Sequence, residues 1–141
     1  MPATARGQTN LPVGERLVLW EFAYEIAKKH MASAGAISAI SLSLCTYLTS
    51  ARPLRDILAA GAVAATTSAV YTIVFLLPLN NDLIATRKAN ELKPMGPKEQ
   101  ERVLEKLDQW RALHRVRIVI GVVPWLASVT ALLASEPIIK L

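Results

Sequence analysis

The chain has 141 residues, of which 52% are hydrophobic but only 6% aromatic, with one cysteine and a formal charge of +5. A single cysteine, Cys45, excludes an internal disulfide and a Cys-x-x-Cys pair, and with them a dithiol route to quinone reduction. The basic balance does not point to nucleic acid, because the Lys and Arg residues flank apolar stretches without the interleaved stacking aromatics of a nucleic-acid groove.

Met1 to Gly14 contains Pro2, Gly7, Pro12 and Gly14 and no apolar period, which predicts a disordered leader over residues 1–14. Its start also lacks the apolar core of a secretory signal. Residues 15–141 read as a single membrane helical domain. From Glu15 the pattern is helical: Leu17, Trp20, Tyr24 and Ala27 share one face at three- and four-residue steps, and Glu21, Glu25, Lys28 and Lys29 cluster on another. This amphipathic helix either lies at the membrane interface or extends the first span. Glu25 with Lys28 or Lys29 is expected to form a solvated pair.

Three stretches carry no charge: residues 31–50, 57–79 and 118–135. Each is close to the ~20 residues a helix needs to cross a hydrocarbon core of roughly 30 Å. The predicted class is therefore all-α, an integral membrane helical bundle of three transmembrane helices, with the amphipathic helix before them and a charged helix leading into the last. Arg6, Arg16, Lys28 and Lys29 precede the first span, and the basic run from Arg87 to Arg117 separates the second from the third. Positive-inside orientation places the N-terminus and that long segment in the cytosol and the C-terminus across the membrane. In a eukaryote an endomembrane such as the endoplasmic reticulum is expected.

Gly35, Ala39 and Ser43 on the first span, and Gly61, Ala65 and Ala69 on the second, repeat every four residues. Small residues at this spacing let membrane helices approach closely, so these two helices are expected to pack directly on each other, joined by a short turn over residues 51–56. Cys45 is expected to pack as a small hydrophobe. Ser68, Thr72, Leu76 and Asn80 follow at four-residue steps as a weakly polar stripe on the second span. Pro78 removes one donor and frees the carbonyl of Val74, so a kink or an end is predicted there. A helix restarts at Pro97, with Glu99 and Glu101 in its first turns, and Pro124 marks a kink further on. The tail around Pro137 carries no signal.

Trp110, His114 and Arg117 stand at i, i+4 and i+7, hence on one helix face just before the last span. A neutral imidazole suits proton abstraction, a guanidinium suits an oxyanion, and an indole suits a flat substrate. Asn80 and Asn81, at the end of the second span, could donate to carbonyl or phenol oxygens, and one of them is expected within hydrogen-bonding reach of that helix. The same residues have ordinary membrane roles: Arg117 reaching headgroups, Trp110 in the aromatic belt, His114 capping a neighbour. His30 and His114 lack the spaced partners of a metal site, and no nucleotide loop or serine elbow is present.

Phe75 to Leu83 (Phe-Leu-Leu-Pro-Leu-Asn-Asn-Asp-Leu) followed by Leu107 to Arg117 (Leu-Asp-Gln-Trp-Arg-Ala-Leu-His-Arg-Val-Arg) resembles the anthrone oxygenase-like family of small membrane proteins, many encoded beside aromatic polyketide pathways. The likeness runs from about Phe22 to Leu133. Members usually have four spans, and this chain resembles a form without the first: either the segment from Glu15 substitutes for it, or another subunit, as in a homo-oligomer, completes the bundle, or the chain is a shortened, inactive form. The resemblance implies oxidation of an anthrone to an anthraquinone by O₂, with no flavin or haem. It implies His114 as base, Arg117, Asn80 and Asn81 as anion stabilisers, and Trp110 with Thr72 against the aromatic substrate. A non-catalytic membrane scaffold is the other class of function the residues allow.

Overall fold

A computed structural model describes residues 11–134, and among these every regular element is helical. Four α-helices follow in order: α1 (Val13–Leu48), α2 (Arg52–Tyr71), α3 (Leu77–Leu92) and α4 (Pro97–Ala134), with a single π-helical stretch, Thr72–Leu76, joining α2 to α3. The expected all-α membrane architecture is therefore what the sequence forms. Three continuous helical runs are long and apolar enough to cross a membrane: Val13–Leu48, Arg52–Leu92 and Pro97–Ala134. In their most apolar windows only 6%, 11% and 6% of the residues are buried inside the chain, so most of this apolar surface is not covered by the chain itself.

Several local expectations change. Helix α1 begins at Val13, so the last two residues assigned to the leader are helical; residues 1–10 lie outside the described part, as does the tail around Pro137. The amphipathic segment is not a separate surface helix, because α1 continues through it without a break. Its Glu25 and Lys28 do pair, at 2.7 Å and largely in the open. The first turn is shorter than residues 51–56: α1 stops at Leu48, where the Thr49 hydroxyl and N–H both donate to the Cys45 carbonyl, and α2 starts at Arg52. Pro53 thus stands in the first turn of α2, where its missing N–H costs nothing.

Pro78 neither ends nor breaks the helix. The π-helical turn over Thr72–Leu76 lies just before it and absorbs the lost donor, and α3 then runs on to Leu92. Helix α4 starts at Pro97 as expected, with the Gly96 carbonyl accepting from the N–H groups of Glu99 and Gln100, and it remains α-helical through Pro124.

The described residues form two compact units. The first comprises residues 11–29 and 73–115. Its centre is Leu17, Leu83, Met95, Val103 and Leu107, with Val13, Trp20, Leu79 and Trp110 packed around them. Ion pairs tie its helices: Arg87 of α3 with Glu21 of α1 and with Glu91 one turn on, and Lys106 of α4 with Asp82 of α3 at 2.5 Å. The link between α3 and α4 is held by side chains, Asn90 Oδ1 accepting from the Met95 N–H at 3.0 Å and Gln100 Nε2 donating to the Met95 carbonyl at 3.1 Å.

The second unit comprises residues 30–72 and 116–134. Here Leu42, Leu58, Gly61, Ala65, Pro124 and Ala127 are buried. Gly61 has a specific reason: a Cβ there would lie 2.7 Å from the Ala127 Cβ and 3.4 Å from Leu42 Cδ1. In the small-residue stripe of α2, Gly61 is thus packed against Leu42 of α1 and Ala127 of α4, and Ala65 is buried. The stripe of α1 is not, since Gly35 and Ser43 are exposed and Gly35 has no neighbour at its missing side chain. Large Leu42, one residue from Ser43, makes the contact instead. Cys45 is also exposed rather than packed.

Candidate functional site

The first unit brings together one group of aromatic and polar side chains, supplied by α1, α3 and α4. It begins at the start of α3. The π-helical turn contains one more residue per turn than an α-helix, so it sets the angular position at which every later residue of that helix emerges. Asn80, at the fourth position of α3, is thereby turned inward and is only 4% exposed. A buried amide must be satisfied, and Trp110 does this: its Nε1–H donates to Asn80 Oδ1 at 2.8 Å. Because an indole nitrogen is a donor only, this bond fixes which way the amide faces and leaves the Asn80 Nδ2 as the donor end.

His114 follows one turn after Trp110 on α4, and its imidazole lies on the indole face, with centroids 4.8 Å apart and planes 8° from parallel. Trp20 of α1 meets the same indole edge-on, at 6.0 Å and 88°. Trp20 is itself stacked on Tyr24 at 5.3 Å, and Lys28 lies over the Tyr24 ring. Four rings from two helices therefore form a contiguous array. Among the described residues no acceptor reaches the buried Trp20 Nε1–H.

Of the residues singled out from sequence, Asn80, Trp110 and His114 meet in this group. Asn81 is adjacent in the chain but exposed, so of the two amides it is Asn80 that reaches α4. Arg117 and Thr72 belong to the second unit. There Arg117 Nη2 donates to Met31 Sδ at 3.0 Å, and the Thr72 hydroxyl donates to the Ser68 carbonyl at 2.8 Å, the back-bonding common for threonine in helices. Sequence reasoning missed Trp20. Its signal was present in the shared face of Leu17, Trp20 and Tyr24, but amphipathic spacing identifies a buried face without identifying the partner across it.

Among the described residues no group of three or more His, Cys, Asp or Glu side chains is placed to hold a metal ion. The chemistry available is that of an imidazole base, amide donors and aromatic walls at one end of apolar helices. A family model described as anthrone oxygenase matches residues 20–130, a range that includes Trp20, Asn80, Trp110 and His114. No curated protein and no solved structure matches the chain.

Proposed function

The chain belongs to the anthrone oxygenase family, and from that membership and the geometry of the first unit we propose that it is a cofactor-independent membrane monooxygenase. Its substrate would be an anthrone-type aromatic polyketide, oxidised by O₂ to the anthraquinone and water. The observation that carries this reading is the His114 imidazole resting on Trp110, whose N–H is held by the buried Asn80.

The methylene of an anthrone is an acidic carbon, flanked by two aryl rings and conjugated with the carbonyl. His114 removes one of its protons, and the charge moves to the carbonyl oxygen, where the Asn80 Nδ2 and Asn81 amides are the donors at the start of α3. The electron-rich anion gives one electron to O₂, and the resulting radical pair joins as a carbon-bound peroxide, which takes up the proton from His114. Loss of the remaining proton from the same carbon breaks the O–O bond and expels hydroxide, leaving the second carbonyl and one water. No external reductant is needed, because the substrate supplies all the electrons. An apolar setting favours the sequence by keeping water from quenching the anion. Neither Arg117 nor Thr72 enters this scheme.

The direct test is to incubate the purified, detergent-solubilised protein with emodin anthrone and follow quinone absorbance against the spontaneous rate. Turnover above that rate, lost in His114→Ala, is the expected result. Quinone formation at the spontaneous rate by folded protein would leave a non-catalytic membrane scaffold as the better reading.

A further inference from the structure

We propose that Trp20 is a positioning residue of this site, which fixes the indole of Trp110 and through it the imidazole of His114. The kinetic part of this inference rests on the oxygenase reading above; the structural part does not. The indole of Trp110 is held in three ways: its N–H by the buried Asn80, its ring by the perpendicular contact with Trp20, and one face by His114. A wall for a flat substrate needs an open face, and this ring has given one to the imidazole. The remainder packs on the buried cluster around Leu17, Leu83, Val103 and Leu107. Trp110 therefore holds the base rather than the substrate.

The clamp reaches further than α4. Trp110 and His114 share one helix and would keep their sequence spacing whatever lay opposite, so α4 alone does not fix the ring planes. The Asn80 hydrogen bond and the perpendicular contact with Trp20 together do, the latter because an edge-to-face arrangement pairs the positive edge of one ring with the negative face of the other and disfavours rotation. Tyr24 lies flat on Trp20 from the same helix and fixes it in turn. Proton abstraction from carbon depends on the direction of the nitrogen lone pair. A base displaced by an ångström can cost on the order of a hundredfold in rate while substrate affinity is unchanged.

The test uses Trp20→Leu, which stays apolar but removes the aromatic ring, and Trp20→Phe, which restores one. The chain has only two histidines, His30 and His114, so the His114 ring signals are assigned by comparison with His30→Gln. In the wild type the indole ring current displaces the His114 ring protons. Trp20→Leu should move these signals toward the positions of an unstacked imidazole, and Trp20→Phe should return them. With an anthrone substrate, Trp20→Leu should lower kcat by about ten- to a hundredfold with KM within about threefold, and Trp20→Phe should recover most of the loss. His114 signals unmoved in folded Trp20→Leu would overturn the inference, as would a variant whose loss lies in KM alone. Signals that move in protein whose wild type has no turnover would uphold the clamp and sink the oxygenase reading instead.

Discussion

At the residue scale, the strongest consequence follows from Asn80, a buried amide whose one acceptor oxygen is committed to an indole N–H. Asn80→Leu leaves that N–H without a partner in a dry place, at a cost of about 1–3 kcal/mol, which a thermal melt in detergent should show as a lowered midpoint. Its loss should couple with that of Trp110: Asn80→Leu combined with Trp110→Phe should destabilise by clearly less than the sum of the two, because Phe has no donor to strand. His114 makes a different kind of prediction. His114→Ala should keep the fold and reduce quinone formation by roughly the hundredfold associated with a lost general base. Wild-type turnover in His114→Ala would remove it from the mechanism. The partnership of Asn80 with Trp110 was legible in the sequence as an expected contact between two polar clusters. That it would be Asn80 rather than Asn81 was not, because the choice depends on a helical phase that spacing alone does not give.

At the element scale, that phase is set by Pro78. The sequence marked the proline as a defect and placed a kink or an end there; the chain instead inserts a π-helical turn and continues. Proline rules state that a donor is lost and a carbonyl displaced, but several backbone responses satisfy them, and packing decides among them. With Pro78→Ala the donor returns and the π turn is free to revert. Reversion would rotate α3 by about one residue, roughly 100° at 3.6 residues per turn, and carry Asn80 away from Trp110. Pro78→Ala is thus expected to impair turnover as Asn80→Leu does, with little further loss when the two are combined; independent, additive losses would show that the turn does not govern Asn80. Helix α2 offers a separate test in the second unit. Gly61→Ala would drive a methyl to 2.7 Å from Ala127 Cβ, costing about 1–3 kcal/mol as overpacking does, and Ala127→Gly should restore the melting midpoint. The four-residue repeat correctly identified the Gly61 and Ala65 stripe and the packing of α2 on α1, but not the contact with Ala127 of α4, since small residues show where a helix can be approached and not everything that approaches it.

At the scale of the whole molecule, three helices are long and apolar enough to cross a membrane, which predicts an odd number of crossings. Helix α1 continues unbroken from Val13 to Leu48, and at about 1.5 Å per residue such a helix is far longer than the ~30 Å hydrocarbon core. Its charged first half, with Glu15, Arg16, Glu21, Glu25, Lys28 and Lys29, therefore stands outside the core on the same side from which the span enters. A continuous helix cannot turn back, so this half adds no crossing of its own. Positive-inside orientation would place the basic residues from Arg87 to Arg117 and those at the start of α1 on the cytosolic side, and the end of α4 in the opposite compartment. Reporters fused to the two ends of the chain should accordingly read different compartments, for example a glycosylation acceptor modified at the C-terminus and not at the N-terminus. Moving the balance is a sharper version of the same test. Replacing Lys28 and Lys29 by Gln, while adding Lys residues to the short turn beside Arg52, should raise the fraction of inverted molecules, because it is the asymmetry of Lys and Arg close to the span ends that orients them. Both ends in one compartment would mean that one of the three apolar helices does not cross, and the apolar surface it leaves exposed would then have to be covered by something other than lipid.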